Sequence, residues 1–264
     1  MTDGREIMSE GRLLSKEDAE YLKQRFKEEL DKPVRVVVFI KEVGCRYCKE
    51  TVMIAKEVSD LDDRISLYVY KIDENKDKAT AYSVDKVPAT IIVGSDAYYK
   101  IRFFGIPSGH EFATYIEDIV NVSRRDPNLN PKTVEKIKKI DKEAHIQVFV
   151  TPTCPYCPRM VLMAHQFAMV NPLIKSDMIE AIEFPRLSQK YNVMGVPRTI
   201  VNEVNAVVGL IPEPLFVEFL YYSVGLISQP SERLQQVLRQ TEMEAEQVDY
   251  AEHEHEHSND EEES

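Results

Sequence analysis

Thr153-Cys154-Pro155-Tyr156-Cys157-Pro158 decides the fold of this chain, because its two cysteines stand between a strand pattern and a helix pattern. An apolar run over residues 146–150 precedes the motif. An apolar side chain then recurs every three positions, at Val161, Ala164, Phe167 and Val170. A cysteine at a helix N-terminus meets backbone N–H groups and a helix dipole that favour its thiolate. The stretch therefore predicts a reactive dithiol with an exposed Cys154 as nucleophile and a half-buried Cys157 as resolving thiol.

A second copy of this arrangement lies in the first half of the chain. A shift of 109 positions relates five pairs of identical residues: Cys45 and Cys154, Cys48 and Cys157, Tyr82 and Tyr191, Val84 and Val193, Pro88 and Pro197. Five matches at one offset indicate an internal duplication. Cys45 is the expected nucleophile of the first copy and Cys48 its resolving thiol. Arg46 places a cation beside Cys45, which allows the two dithiols to differ in reduction potential.

Each copy also carries a Val-Pro step forty residues after its second cysteine, at Val87-Pro88 and Val196-Pro197. A peptide bond before proline adopts the cis isomer at far lower cost than other peptide bonds. Because the two steps share one spacing, we expect both bonds to be cis.

Length and composition bound the class of protein. A chain of 264 residues has room for two domains of ordinary size. All four cysteines belong to the two C-x-x-C motifs, and no signal-like or membrane-length apolar run occurs, so we expect a cytoplasmic protein. The net charge of −12 comes mainly from the acidic residues after Arg239, and the rest of the chain is nearly neutral. This balance argues against nucleic acid or a membrane surface as partner.

The patterns predict an α/β fold made of two tandem units, each with a mixed central sheet flanked by helices. Each unit has the order βαβαββα after an additional leading helix. The Pro- and Asn-rich segment at 126–131 marks the boundary between the units. The predicted divisions are an N-terminal extension, the CRYC unit, the CPYC unit and a disordered acidic tail, over residues 1–14, 15–126, 127–247 and 248–264.

Over residues 15–228, the chain resembles the protein disulfide oxidoreductases, or glutaredoxin-like proteins, of thermophilic archaea and bacteria. The C-P-Y-C motif and the later V-P-R-T resemble glutaredoxins, and the D-x-N…Y-x-V-x-x-V-P pattern from Asp73 resembles thioredoxins. The resemblance implies two thioredoxin-like units that exchange disulfides with protein thiols and disulfides. It also implies electrons from a thioredoxin-reductase-like flavoprotein and a peroxiredoxin among the acceptors. The redox-active disulfides are then the only redox groups, with no cofactor and no metal.

The same resemblance assigns further site residues. It implies that the cis prolines lie against the dithiols and that the substrate-binding residues are Pro88, Pro197, Val87, Val196 and Tyr156. The chain departs from thioredoxins at Phe39 and Val148, where those proteins carry a buried acid. It also lacks the Gly-Gly-x-Asp segment with which glutaredoxins hold glutathione, so we expect no glutathione. Asp73 and Glu183, near the ends of matching strands, are expected to be solvated.

Two other functions remain open from the sequence. Four cysteines in two pairs are also the ligand count of a structural zinc site, so the chain could be a zinc-stabilised or chaperone-like binding module without catalysis. Alternatively, the dithiols could serve a dedicated electron carrier for one peroxiredoxin. Stoichiometric zinc would indicate the first, and turnover restricted to a peroxidase the second.

Overall fold

The computed structural model describes residues 12–243 of the chain. Predictions for residues 1–11, for the end of the second unit at 244–247 and for the tail at 248–264 lie outside the described residues. The first unit contains α1 (Lys16–Glu29), β1 (Val34–Ile40), α2 (Cys48–Ser59), β2 (Ile65–Lys71), α3 (Lys76–Ala81), β3 (Ala89–Gly94), β4 (Ile101–Phe104) and α4 (Glu111–Arg124). The second contains α5 (Pro131–Lys138), β5 (Ala144–Val150), α6 (Cys157–Val170), β6 (Ile174–Glu180), α7 (Pro185–Lys190), β7 (Arg198–Val201), β8 (Asn205–Val208) and α8 (Glu213–Ser223). Residues 232–243 are also helical. The predicted order of elements is confirmed in both units.

Local sequence explains where the helices begin. Ser15 caps α1 by accepting a hydrogen bond from the backbone N–H of Asp18 at 3.0 Å. Asn130 caps α5 through the N–H of Lys132 at 2.9 Å, and Pro131 follows it as the first helical residue. The predicted boundary after residue 126 falls in the connection between α4 and α5 and stays a prediction.

The strands of both units form one sheet, where the sequence predicts a separate sheet for each. The strand order is β2-β1-β3-β4-β6-β5-β7-β8. The two halves join because β4 pairs in parallel with β6, which places Arg102 directly opposite Asp177. An apolar strand at the end of one half therefore gains a hydrogen-bonded neighbour from the other.

Strand directions place both dithiols at one edge of the sheet. β1 and β4 run the same way because each is antiparallel to β3, and β4, β6 and β5 are mutually parallel. The carboxyl ends of β1 and β5, which lead into the two C-x-x-C motifs, therefore share an edge. Four interstrand spacings separate these strands, a distance of about 19 Å.

Two cores cover the two faces of the sheet. The larger core contains side chains from α1, α2, α4, α5, α6 and α8. The smaller core lies on the opposite face, under α3 and α7. Because α2 and α6 belong to the same core, both dithiols lie on one face as well as at one edge. Within residues 12–243, no helix combines the length and the apolar character needed to cross a membrane.

Candidate active sites at the two dithiols

The second dithiol lies at the start of α6. Cys154 and Cys157 form a disulfide with their Cα atoms 5.6 Å apart. The backbone N–H of Cys157, the first residue of the helix, donates a hydrogen bond to the Sγ atom of Cys154 at 3.2 Å. After reduction, this donor is placed to stabilise a thiolate on Cys154.

The expected exposure of Cys154 was wrong. Only 7% of this residue is accessible, and Cys157 is fully buried. The cause is the proline loop, because the Sγ atom of Cys154 lies 3.7 Å from the carbonyl oxygen of Val196. Tyr156, between the cysteines, is by contrast 61% exposed.

The first dithiol repeats the arrangement at the start of α2. Cys45 and Cys48 form a disulfide with a Cα separation of 5.5 Å. Cys45 is partly exposed, whereas Cys48 is buried and its Sγ atom accepts a hydrogen bond from the N–H of Lys41 at 3.4 Å. The guanidinium of Arg46 lies 5.1 Å from the ring centroid of Tyr47. The nucleophile predicted for this unit is therefore more accessible than its counterpart Cys154.

Both Val-Pro bonds are cis, which confirms the sequence prediction. A glycine holds each proline loop: Gly105 donates its N–H to the Pro88 carbonyl at 2.9 Å, and Gly209 donates to the Pro197 carbonyl at 2.8 Å. Both glycines have positive φ, +97° and +85°, a conformation that disfavours residues with a Cβ atom. The sequence signal that marks these glycines is their position directly after the closing strand of each unit.

A buried carboxyl group that the sequence analysis missed packs against the second dithiol loop. Glu111, in the first turn of α4, is 1% exposed, and its Oε2 atom accepts a hydrogen bond from the Thr114 hydroxyl at 3.1 Å. Burial raises the pKa of Glu111 to about 8. The neighbouring N–H of His110 donates to the Pro152 carbonyl at 3.0 Å, and the Thr114 hydroxyl lies 3.5 Å from the Pro158 carbonyl. A proton-binding group from the first unit thus lies next to the motif of the second.

Glu183 corrects a second expectation. The sequence analysis predicts a solvated carboxylate, but Glu183 is partly buried and accepts a hydrogen bond from the N–H of Ile106 at 2.6 Å. Burial raises the pKa of Glu183 to about 7. Asp73, near the end of the matching strand in the first unit, is solvated as predicted: its side chain is 63% exposed and lies 3.7 Å from the Lys41 ammonium group. The acid at this strand end is therefore partly buried in the second unit and exposed in the first.

A single zinc ion cannot be shared by the two cysteine pairs in this fold. Each pair is closed on itself, at the end of a different strand, and three strands separate β1 from β5. Zinc–sulfur bonds of about 2.3 Å require all four sulfurs in one cluster. Among residues 12–243, no group of three or more His, Cys, Asp or Glu side chains is arranged to hold a metal ion.

Comparison with known families agrees with this geometry. The thioredoxin domain matches the chain twice, over residues 34–117 and 144–221, which together exceed half its length. The chain belongs to the thioredoxin-domain family. Each match contains one C-x-x-C motif and one cis Val-Pro step, so the duplication inferred from the sequence is a duplication of the thioredoxin domain.

Relatives by sequence and by structure agree with this family. A protein disulfide oxidoreductase from Aeropyrum pernix superposes with a TM-score of 0.74 at 31% identity, covering 80% of this chain and 94% of that one. The N-terminal domain of alkylhydroperoxide reductase AhpF from Enterococcus faecalis gives a TM-score of 0.73 at 25% identity, covering 78% and 99%. The alkyl hydroperoxide reductase AhpF from Staphylococcus aureus is 29% identical over 182 residues, 69% of this chain.

The match to the curated relatives is partial in length. The chain spans about a third of the Staphylococcus aureus AhpF, since the aligned segment is 33% of that protein. The similarity therefore concerns the tandem thioredoxin domains. With a C-x-x-C disulfide in each half, this chain is a tandem thioredoxin-domain protein.

Proposed function

We propose that the protein exchanges disulfides with protein substrates through both dithiols, with Cys154 and Cys157 as the principal site. The observation that carries the proposal is the repeated geometry: each disulfide lies at a helix start and each unit has one cis Val-Pro bond, which at the second site places the Val196 carbonyl oxygen 3.7 Å from the Cys154 Sγ atom. At the second site, an N–H donor already points at the Sγ atom of the proposed nucleophile.

The proposed reaction moves two electrons without a bound cofactor. In the reduced protein, the Cys154 thiolate attacks one sulfur of a substrate disulfide, forms a mixed disulfide and releases the other substrate sulfur as a thiolate, which takes up a proton. Cys157, after losing its proton, attacks Cys154, releases the second substrate thiol and closes the Cys154–Cys157 disulfide. The substrate is reduced and the protein oxidised. Cys45 and Cys48 perform the same two steps at the first site.

The residues around the proline loops are proposed to bind the substrate chain. The Val196 carbonyl oxygen lies 3.7 Å from the Sγ atom of Cys154, and Val87 holds the equivalent position before Pro88 in the first unit. Exposed Tyr156 offers an aromatic contact at the second motif. A thioredoxin-reductase-like flavoprotein is proposed as the electron source, and the cytoplasm as the location, because reduced dithiols persist there.

Reduction of insulin by dithiothreitol tests the proposal. The full-length protein should accelerate the reaction, and Cys154→Ser should remove most of the acceleration because Cys157 alone cannot complete the exchange. Cys45→Ser serves as the matched control and should retain most activity. Full activity in Cys154→Ser would move the principal site to Cys45, and activity in a variant with both substitutions would refute dithiol catalysis.

A second candidate function is electron delivery to one peroxidase of the peroxiredoxin class. The similarity to the alkylhydroperoxide reductase AhpF supports it, since that similarity extends over almost the whole N-terminal AhpF domain. This function predicts rapid peroxide turnover with a peroxiredoxin and almost no reduction of insulin. Comparable rates with both substrates would instead favour the general exchange enzyme.

A further inference from the structure

A cavity of about 560 Å³ lies beside the first dithiol. Its wall includes Tyr47, which immediately precedes Cys48, and Pro152, which lies two residues before Cys154. Apolar side chains form most of the remaining wall: Leu13, Leu14, Ile54, Ile106, Phe112 and Ile182. Its size falls in the range of about 300–1,000 Å³ that is typical of ligand pockets.

Four carboxyl groups also line this cavity, from Asp18, Glu50, Glu180 and Glu183. No lysine, arginine or histidine is among the lining residues in the described part of the chain. We call the cavity the acidic pocket. Apolar walls with several carboxyl groups and no cation favour a ligand that has an apolar stem and a positive end.

The carboxyl group of Glu180 is buried in the pocket wall and is not exposed to solvent. The residue is 3% exposed, and within residues 12–243 its Oε1 atom has no hydrogen-bond partner. Its Oε2 atom accepts from the N–H of Glu183 at 2.6 Å. The Oε2 atom of Glu50 is likewise buried without a partner among the described residues. Buried polar atoms are normally paired, so these oxygens lack a donor that a bound ligand can supply.

No positive charge among the lining residues in the described part of the chain pairs with Glu180 or Glu183. Burial raises the pKa of both Glu180 and Glu183, and for Glu183 the charge of Glu180 adds to this effect. The nearby positive charge that opposes it comes from Arg46, whose side chain lies over the Tyr47 ring outside the set of lining residues. A cation entering the pocket would therefore gain from both glutamates without displacing an existing ion pair.

We propose that the acidic pocket binds a lysine or arginine side chain of a polypeptide whose disulfide reacts with Cys45. The inference rests on the proposed function and gives the first dithiol a substrate class. The occupant is a polypeptide side chain because Tyr47 belongs both to the pocket wall and to the C-R-Y-C motif. A chain joined to Cys45 through a mixed disulfide can therefore extend into the pocket.

Three disulfide peptides test the inference on a full-length variant with Cys154→Ser and Cys157→Ser, in which only the first dithiol reacts. One peptide carries lysine near the reacting cystine, the second carries norleucine there, and the third has the lysine moved to its far end. The first should react with a kcat/KM about tenfold above the other two, which corresponds to about 1.4 kcal/mol. The third peptide controls for attraction by the net negative charge of the protein.

Glu183→Gln in the same background should lower kcat/KM for the first peptide about tenfold and remove the difference between the lysine and norleucine peptides. The matched control is Glu74→Gln, since Glu74 is the equivalent of Glu183 in the first unit, is 65% exposed and lies outside the pocket. This control should keep the preference for lysine.

Equal kcat/KM for the three peptides would overturn the inference and leave the proposed function intact. Failure of the first dithiol to reduce any of them would instead refute the proposed function at that site. Binding to the pocket is then tested by NMR, with cysteine-free versions of both the protein and the first peptide. The peptide should shift the amide signal of Ile106, and Glu183→Gln should abolish the shift. An unchanged spectrum would also overturn the inference.

Discussion

Each unit places a buried carboxyl group near the dithiol of the other unit. Glu111 from the first unit packs beside the C-P-Y-C loop, and Glu183 from the second lines the pocket that contains Tyr47. Neither group replaces the acid that thioredoxins carry at the positions of Phe39 and Val148, which are fully buried here. Proton-binding groups near each motif thus come from the opposite half of the chain.

Glu111 should make stability depend on pH. Its pKa in the folded protein is about 8, against a usual value of 4.5, because burial disfavours the charged form. This raised pKa contributes stability that is complete below about pH 4.5 and is lost as the pH rises through about 8. Glu111→Gln should therefore raise the thermal midpoint at pH 8 by at least about 3 °C.

Thermal unfolding followed by circular dichroism between pH 5 and pH 8 would measure this effect. The unsubstituted protein should lose stability over this range, and Glu111→Gln should lose less. Glu135→Gln, an exposed substitution on α5, is the control and should follow the unsubstituted protein. Parallel curves for all three proteins would contradict a buried carboxyl with a raised pKa.

The cysteines, their pairing within each motif and the cis prolines could be predicted at this scale, because sequence spacing and a property of proline determine them. Glu111 and Glu183 could not. Neither acid belongs to a sequence motif, and each lies in a region whose burial involves residues more than forty positions away, such as Pro152 for the helix start beside Glu111 and Ile106 for Glu183. Local patterns carry no information on such contacts.

At the scale of elements, the seam between β4 and β6 depends on a buried ion pair. Arg102 donates to both carboxylate oxygens of Asp177, at 2.7 and 2.8 Å, and both side chains are almost fully buried. His145 lies 2.6 Å from the same carboxylate. Burial raises the pKa of Asp177, but Arg102 and His145 outweigh it and lower the value to about 2.

Removing one member of this pair should be costly. Asp177→Asn leaves the Arg102 guanidinium buried without its counter-charge and should lower the free energy of unfolding by about 3 kcal/mol. Arg102→Met combined with Asp177→Leu should recover about half of that loss, since the Ser83 carbonyl then lacks its donor and His145 its carboxylate partner, whereas the Tyr82 carbonyl still accepts from the Tyr98 hydroxyl at 3.1 Å. Urea unfolding of both variants measures these values. A double variant less stable than Asp177→Asn would contradict the argument.

The same pair predicts an acid-sensitive seam. Because the pKa of Asp177 is lowered, its contribution to stability is complete above about pH 3.8 and is lost as the pH falls toward about 2. The loss amounts to about 2 kcal/mol. Urea midpoints between pH 5 and pH 2 should fall more steeply for the unsubstituted protein than for the Arg102→Met, Asp177→Leu variant. Equal slopes would show that the pair does not titrate in this range.

The order of elements could be predicted because each helix and strand has a local pattern, but the joining of the sheets could not. One sequence signal does point to it in retrospect. Ile101-Arg102-Phe103-Phe104 is buried at every position, whereas a strand left at the edge of a sheet usually carries polar residues. The single charged residue in this strand is the one that meets Asp177 across the seam.

At the scale of the whole molecule, the halves are expected to unfold together. Besides the seam, α4 packs on α6, where the Nδ1 atom of His165 lies 2.5 Å from a carboxylate oxygen of Asp118 and both residues are fully buried. The Phe103 ring packs against both His165 and Tyr115. Differential scanning calorimetry should therefore give one transition with equal calorimetric and van't Hoff enthalpies. Two separate transitions would show that the units are energetically independent.

The shared edge and face of the two disulfides restrict how the protein meets its partners. The strands that lead to them are about 19 Å apart, less than the roughly 30 Å diameter of a small folded domain. We therefore predict that the proposed reductant and the oxidised substrate bind in alternation, because two globular partners that approach from this edge would overlap. A saturating concentration of either partner should competitively inhibit the reaction with the other, as in a ping-pong enzyme whose two substrates bind overlapping surfaces.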